Sequence, residues 1–317
     1  MNIRKVQIKF ATDDECLAYI QQMRWPDGII RCPVCGNEKI QKVERKSTSK
    51  NKRPWFYLCL EKSCHHQFSP TSGTLFADTH LPLIMWFHAI ALVLNAKKGI
   101  SAKQLQRDLG IGGYKTAWYL VHRIREAMAE GEPPMMGGIV EIDETYVGGK
   151  VKRKGVKAGY DNKEVVVGVR QRKGGLRFVH TPDAKATSLK PIIAATVSPD
   201  VELIMTDTSS AAYSALKALG QLDKHREINH VSGQYVNGII HTNTVENAFS
   251  LLKRGIIGNF HKVSIKHLQR YLNEFQYRFN RREMPKQEKP PDAFIETVRR
   301  LCEFGPLRFT ALTSEKA

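Results

Sequence analysis

The chain lacks a hydrophobic run long enough to cross a membrane. Its longest apolar stretch, residues 81–96, contains Pro82, His88 and Asn95, and it falls short of the roughly 20 apolar residues that a membrane-spanning helix needs. No signal peptide is visible, because charged residues of both signs lie close to the N-terminus. We therefore predict a cytoplasmic protein with no membrane partner.

Cysteine is also scarce, with six residues in 317, which excludes the dense disulfide framework of small secreted domains. Four of the six form two close pairs, and this spacing is typical of a zinc ribbon. We expect one structural Zn²⁺ bound by Cys32, Cys35, Cys59 and Cys64. Because four residues separate the second pair, where two are commoner, His65 or His66 could replace Cys64 as the fourth ligand. Cys16 lies on the apolar stripe of a predicted helix and is interpreted as a core residue.

Acidic residues are outnumbered, 31 against 49 Lys and Arg, and the formal net charge is +18. Such an excess favours a polyanionic partner, although it could also serve solubility alone. Between the cysteine pairs, residues 45–53 hold a run of cations that could follow DNA phosphates from the tip of a ribbon loop. The candidates are Arg45, Lys46, Lys52 and Arg53. A solvated loop is the alternative interpretation.

A helix, a glycine-bearing turn and a second helix follow the ribbon. Ser101 is a predicted cap for a helix over 102–109, and a turn at 110–113 leads to a helix over 115–128. This is the spacing of a helix-turn-helix, which would direct Lys115, together with Tyr114, Thr116 and Tyr119, towards the major groove. Many helical hairpins bind nothing, so the DNA-binding interpretation depends also on the ribbon and the net charge.

From residue 137 the pattern changes to strands. We predict three strands over 139–147, 165–172 and 176–181, followed by alternating helices and strands: a helix over 186–197, a strand over 201–206, a helix over 211–219 and a strand over 227–231. Three meandering strands and then strands joined by helices indicate an α/β fold with an RNase H-like mixed sheet. We expect four segments: helix and ribbon (1–78), the helix-turn-helix-like segment (79–132), the RNase H-like domain (137–283) and a tail with a short helix (284–317).

Three widely separated acids are candidates for a metal site. Asp143 lies within the strand 139–147, Asp207 follows the strand 201–206, and Glu246 opens a predicted helix. An acid on a central strand is costly unless it is paired or binds a cation, and Mg²⁺ prefers carboxylate oxygens. We therefore predict that the three carboxylates converge.

Glu246 has a simpler alternative role, as the partner of Asn243 in a capping box. Against it, Lys253 lies seven residues further on and shares a helix face with Glu246, so an acid and a base face the same way. Lys253, Arg254 and Lys262 are then expected to contact phosphates. Asn243 and Asn247 are the nearest rivals of Glu246 as a ligand.

Several motifs resemble those of bacterial insertion-sequence transposases that have an N-terminal zinc ribbon and an ISXO-like DDE domain. They are the cysteine pairs followed by residues 67–76, the segment 141–149 and the segment 241–246 that leads to 251–255. The resemblance implies that Asp143, Asp207 and Glu246 match the DDE acids, and that Lys253 matches the lysine seven residues after the last acid. In this group the third acid is not always Glu.

The resemblance further implies two Mg²⁺ or Mn²⁺ ions and double-stranded DNA, both element ends and target, as the partner. It implies cleavage and strand transfer by two-metal phosphoryl transfer, a homodimer or larger assembly on DNA, and a bacterial, nucleoid-associated location. Two rivals remain: a DNA-binding regulator with an inactive nuclease-like domain, and a nuclease or resolvase with no strand-transfer step. The three separated acids argue against the regulator.

Overall fold

The computed structural model describes residues 1–44, 55–131, 133–148, 163–228, 241–283 and 292–314. The chain divides into two compact units. Unit 1 comprises residues 1–96, 100–128 and 291–317, and unit 2 comprises residues 97–99 and 129–290. None of the helices in these described ranges is long and apolar enough to cross a membrane.

Unit 1 contains a small antiparallel sheet among helices. Its strands are β1 (Ile40–Glu44), β2 (Trp55–Cys59) and β3 (Gln67–Phe68), in the order β1-β2-β3. The helices are α1 (Ile3–Lys9), α2 (Asp13–Arg24), α3 (Leu83–Asn95), α4 (Ala102–Asp108), α5 (Tyr114–Ala127), α10 (Ala293–Glu303) and α11 (Phe309–Thr313). Thr12 and Glu15 form a capping box at the start of α2, which fixes this end because each side chain satisfies the backbone N–H of the other.

The predicted helix pair of unit 1 is present as α4 and α5. The hydroxyl of Ser101 accepts a hydrogen bond from the backbone N–H of Gln104 and caps α4, as predicted. Gly110, with φ of +63°, lies in the turn after α4, where the left-handed conformation favours glycine. The buried side of α5 includes Ala117, Val121 and Ile124.

Unit 2 is built on a mixed sheet whose strands are β4 (Ile139–Val147), β5 (Glu164–Gln171), β6 (Leu176–Thr181), β7 (Leu203–Asp207) and β8 (His225–Ile228). The strand order is β6-β5-β4-β7-β8. β4 pairs antiparallel with β5 and parallel with β7, and β7 pairs parallel with β8. This is the predicted RNase H-like arrangement, which places the first strand at the centre of the sheet.

Helices cover both faces of this sheet. α6 (Ala186–Thr196) and α7 (Ser210–Ala218) share one apolar cluster with alternate residues of β4, β5 and β7. α8 (Asn243–Gly255), a π-helical turn (Ile256–Phe260) and α9 (Ile265–Glu283) share a second cluster that includes Val166 and Phe178. Side chains of successive strand residues point to opposite faces, so β4 and β5 each supply residues to both clusters.

One position on β5 lets α8 approach the sheet closely. A Cβ atom at Gly168 would lie 2.6 Å from Phe249 Cζ and 2.8 Å from Val245 Cγ2. Gly168 pairs directly with Asp143 of β4, and directly opposed residues of an antiparallel pair point to the same face. Asp143 therefore points towards the face that α8 covers.

Amide side chains of α9 complete the hydrogen bonding of β6. Gln269, Gln276 and Asn280 accept hydrogen bonds from the backbone N–H groups of His180, Phe178 and Leu176 respectively. Gln269 and Asn280 also donate to backbone carbonyls of the strand. The outer edge of β6, which would otherwise offer unpaired groups to another strand, is in this way occupied by a helix of the same unit.

Candidate active site and zinc site

The four clustered cysteines lie around one point of unit 1. Their sulfur atoms all lie within 4.8 Å of one another, with Cys32 Sγ 3.7 Å from Cys64 Sγ and Cys35 Sγ 3.6 Å from Cys59 Sγ. A Zn–S bond of about 2.3 Å in a tetrahedron implies S···S edges of about 3.8 Å. The cysteines therefore fit a tetrahedral zinc ion.

Cys64, and neither of the neighbouring histidines, belongs to this group among the residues that the structure describes. The His66 ring instead stacks on Phe68, with ring centroids 6.1 Å apart. A set of four thiolates leaves no open coordination position for chemistry, so the site suits a structural ion.

The second site lies in unit 2, on the neighbouring strands β4 and β7. In their parallel register Ile139 lies opposite Leu203 and Glu141 opposite Met205. Continuing this register by two residues along each strand brings Asp143 beside Asp207. One carboxylate oxygen from each of these aspartates and one from Glu144 lie within 4.8 Å of one another.

Burial and the charge of neighbouring acids raise the pKa of Asp143 and of Glu144. Burial, followed by the negative charge of Asp207, raises the pKa of Asp143 to about 7, while a hydrogen bond from the backbone N–H of Glu144 opposes the shift. Burial and the charge of Asp207 also raise the pKa of Glu144. Half-buried carboxylates in repulsive contact are the donor set that a hard divalent cation stabilises, so these residues fit Mg²⁺ or Mn²⁺.

Glu246 lies on the exposed side of the first turn of α8. Its negative charge contributes to the raised pKa of Asp143, but Glu246 is not a member of the three-carboxylate group in the described part of the chain. The alternative role of Glu246, as the partner of Asn243 in a capping box, is wrong, because α8 begins at Asn243 and the N-cap residue is Thr242. The hydroxyl of Thr242 donates to Glu246 Oε1 at 2.7 Å.

Glu144 is the acid of this group that the sequence pattern did not select. It follows Asp143 directly, and strand alternation assigns the two side chains to opposite faces. The length of the Glu side chain nevertheless brings its carboxylate to Asp207. The sequence indicated Glu144 only by its position next to a predicted ligand. Whether its carboxylate reaches the site depends on the side-chain conformation, which the sequence pattern does not predict.

The basic residues predicted to bind phosphates are exposed where they are described. Lys253 and Arg254 lie in the last turn of α8, and Lys262 follows the π-helical turn. Lys115 is exposed in the first turn of α5.

Tyr119 differs from the expectation of a groove-facing residue, because its hydroxyl donates to the backbone carbonyl of Leu307 in the same unit. The predicted DNA contacts Arg45, Lys46, Lys52 and Arg53 lie outside the described residues.

Comparison with known proteins gives two family matches. Residues 135–280 match the ISXO2-like transposase domain, and residues 11–67 match the transposase zinc-ribbon domain. The chain is also similar to an uncharacterized protein in transposable element ISH50 of Halobacterium salinarum. The two are 27% identical over 283 residues, which cover 85% of this chain and 91% of the relative. The matches follow the order of ribbon and sheet along the chain.

Proposed function

The chain belongs to the insertion-sequence transposases that combine a zinc ribbon with an ISXO2-like transposase domain, and we propose that it cleaves element-end DNA and joins those ends to target DNA. The observation that supports this proposal most directly is the group of carboxylates around Asp143 and Asp207. The repulsion among these carboxylates would be relieved by divalent cations, which phosphoryl transfer at this type of site requires.

We propose Asp143 and Asp207 as metal ligands and Glu246 as the third acid. Asp143 points to the face that α8 covers, and α8 carries Glu246 in its first turn. A pair of divalent ions at this site would activate the attacking oxygen and stabilise the departing 3′-oxygen. The cations of Lys253, Arg254 and Lys262 would bind the phosphates on either side of the scissile bond.

The remaining parts of the chain are proposed to bind DNA rather than to react with it. The net charge of +18 supports long-range attraction of DNA, and Lys115 at the start of α5 is exposed for a groove or phosphate contact. Arg45, Lys46, Lys52 and Arg53 are proposed phosphate contacts of the ribbon. Holding two element ends at once would require two or more copies of the chain, an expectation that follows from the family.

The first prediction separates chemistry from binding. Asp207→Asn is nearly isosteric but removes one charge from the metal site, so Mg²⁺- or Mn²⁺-dependent cleavage and joining should fall by about 10³-fold or more. Binding to element-end DNA should change little, because it depends on Lys and Arg elsewhere. Binding and strand breakage are measured side by side on labelled end DNA.

Asp200→Asn is the matched control, since Asp200 is an exposed carboxylate shortly before β7 and its loss should affect neither measurement. The same assay assigns the third acid: Glu246→Gln should match Asp207→Asn, and Glu144→Gln should retain more activity. If the wild-type chain binds end DNA but breaks no strand with either metal, a DNA-binding regulator replaces the enzyme.

A further inference from the structure

One carboxylate near the site has no place in the family's set of acids. Glu141 lies on β4 two residues before Asp143 and is fully buried. Residues two apart on a strand share a face, so Glu141 points to the same side of the sheet as Asp143. Burial of a charge is costly unless several hydrogen bonds compensate it, and the contacts of Glu141 meet that condition.

One oxygen of Glu141 accepts hydrogen bonds from the start of α8. Oε2 accepts from the backbone N–H of Thr244 at 2.9 Å, from the Thr244 hydroxyl at 2.7 Å and from the backbone N–H of Val245 at 3.0 Å. Thr244 and Val245 are the second and third residues of the helix, whose N–H groups have no partner within it. A carboxylate at this position also interacts favourably with the positive end of the helix.

The other oxygen contacts two basic groups. Arg172 Nε donates to Glu141 Oε1 at 2.6 Å, and His241 Nδ1 lies 3.3 Å from the same oxygen. Arg172 Nη2 donates in turn to the carbonyl of His241 at 2.9 Å. The segment that leads into α8 is therefore attached to the same carboxylate as the helix itself.

This arrangement replaces a local helix cap with a distant one. The N-cap residue Thr242 directs its hydroxyl to Glu246. The first-turn N–H groups instead donate to Glu141, which lies 103 positions before Thr244 in the chain. A local cap would only stabilise the helix. A cap supplied by β4 also fixes where the helix starts relative to the strand that carries Asp143.

We infer that Glu141 is a positioning residue for the proposed reaction: it holds the start of α8, and with it Glu246, against Asp143. Asp143 lies about 7 Å along the strand from Glu141, and Glu246 lies about 3 Å along the helix axis from Thr244. With both acids so close to the anchoring carboxylate, a change in its contacts moves one acid relative to the other. This inference rests on the proposed function, because Glu246 matters only if it is a ligand.

The most informative variant is Glu141→Gln, because it preserves the shape and changes only the hydrogen-bond pattern. The carboxylate accepts at both oxygens, whereas an amide has one accepting oxygen and one donating nitrogen. In either orientation the –NH₂ group faces donors, those of Arg172 or those of α8. Either the first turn of α8 or Arg172, which holds the carbonyl of His241 just before the helix, should therefore lose a contact, and the start of the helix should shift.

The experiment measures Mn²⁺ binding to the full-length protein without DNA, from the electron paramagnetic resonance signal of free Mn²⁺. We expect Glu141→Gln to bind Mn²⁺ about 10-fold or more weakly than the wild type, the range found when residues that orient metal ligands are replaced. The matched control is Glu274→Gln in α9. Glu274 is also a buried carboxylate of unit 2, paired with Arg278 at 3.0 Å, and its loss should leave Mn²⁺ affinity within about 2-fold of wild type.

Two outcomes overturn the inference. Mn²⁺ affinity equal to wild type in a folded Glu141→Gln variant would reduce Glu141 to a structural role. If Glu141→Gln does not fold, Thr244→Ala decides instead, because it removes one of the three hydrogen bonds to Oε2 and keeps both backbone donors. An unchanged Mn²⁺ affinity in Thr244→Ala overturns the inference. A loss of Mn²⁺ affinity in Thr244→Ala that is smaller than the loss expected for Glu141→Gln supports it.

Failure of the proposed function gives a different result. If wild type and Asp207→Asn bind Mn²⁺ equally weakly, no metal site exists at these acids, and both the proposed function and the role of Glu141 are rejected. A wild-type affinity that depends on Asp207 but not on Glu141 rejects the positioning role alone.

Discussion

At the scale of single residues, the site concentrates negative charge where the rest of the chain is positive. Asp143 is half-buried beside Asp207 and Glu144, and its pKa is raised to about 7 from a usual value of 3.8. In a protein with a net charge of +18, the partial burial of this carboxylate beside two other acids is a cost that folding alone does not explain. A cation bound between the acids would offset it.

The second prediction concerns how stability depends on pH in the absence of metal. The folded state keeps a proton on Asp143 up to about pH 7, whereas the unfolded chain releases it near the usual pKa of 3.8. Between these values the folded state binds more protons, so the free energy of unfolding falls as the pH rises through this window. Asp143→Asn has no such proton to lose, so its stability should fall less over the same window.

Urea unfolding in EDTA, at about pH 5 and about pH 8, measures this difference. Asp200→Asn serves as the control, because Asp200 is exposed and should retain the pH dependence of the wild type. An equal loss of stability in wild type and Asp143→Asn would mean that other groups cause it.

Residue type and spacing identified most of the acids and thiols in these two sites, and for a physical reason. A carboxylate on a central strand and two close cysteine pairs are rare arrangements unless a metal uses them, so Asp143 and the cysteines are visible in the sequence. Glu141 is not, because its role depends on Thr244, which is 103 positions away. The roles of the individual acids stay predictions until the variants are measured.

At the scale of elements, a glycine at position 168 allows α8 to pack close to the sheet. Gly168 lies opposite Asp143 on β5, and Phe249 and Val245 of α8 occupy the space where its Cβ atom would be. Phe249 in turn stacks on Phe178 of β6, with ring centroids 5.2 Å apart. The helix that carries Glu246 can approach Asp143 only because this position is glycine.

The third prediction is that Gly168→Ala impairs both stability and metal binding. The added methyl group meets Phe249 at 2.6 Å, so α8 must move outwards, at a cost of about 1–3 kcal/mol of unfolding free energy. Mn²⁺ affinity should fall with it, because Glu246 moves with the helix. Urea unfolding and Mn²⁺ binding measure the two effects.

Gly137→Ala is the matched control. Gly137 lies shortly before β4, and nothing lies within 4 Å of the position that an added methyl group would take there, so neither quantity should change appreciably. A Gly168→Ala variant that loses stability but binds Mn²⁺ like the wild type would show that the position of α8 does not determine the site.

Most elements were predictable from periodicity, and those missed share a cause. The strands of unit 2 and the long helices follow clear apolar patterns, and the predicted RNase H-like mixed sheet is confirmed. The short helices α1 and α11 and the π-helical turn at 256–260 were not predicted. Segments this short contain too few apolar positions for a period to be recognised.

At the scale of the whole molecule, segments that are far apart in the sequence pack together in one unit. The C-terminal helix α10, which lies in the segment 284–317 predicted as a tail with a short helix, packs with α2, α3 and α5 in unit 1. Phe294 of α10 is fully buried there and lies against Phe10 and Phe87. A composition-based boundary is blind to such a contact between the two ends of a chain.

The fourth prediction is that zinc stabilises unit 1 and not unit 2. The purified protein should contain about one zinc ion per chain, and Cys32→Ser should remove it and unfold the ribbon, since small zinc modules depend on their metal. All four tryptophans, Trp25, Trp55, Trp86 and Trp118, lie in unit 1, and Trp25 packs against Cys32 and Cys59 in the ribbon core. Tryptophan fluorescence should therefore change.

Mn²⁺ binding at Asp143 and Asp207 should persist in this variant, because the apolar clusters of unit 2 contain no ribbon residue. Cys16→Ser is a control for the loss of a thiol, since Cys16 is buried in unit 1 outside the cysteine cluster. Purified protein that contains no zinc and still has a folded ribbon would rule out the metal site.

The last prediction assigns DNA affinity to charges that take no part in the chemistry. Each cation that contacts a phosphate adds about 0.9 to the slope of log affinity against log salt concentration. Replacement of Arg45, Lys46, Lys52 and Arg53 with Ala should therefore weaken binding to end DNA and reduce that slope by up to about 4 units. Fluorescence anisotropy over a salt series measures both quantities.

Replacing four exposed cations elsewhere, Lys5, Lys9, Lys190 and Lys217, controls for net charge alone. If the two variants lose the same slope, the ribbon cations act only through the overall field. If the ribbon variant alone loses it and still cleaves a pre-bound short substrate in the presence of Mn²⁺, binding and catalysis are carried by different residues of one chain.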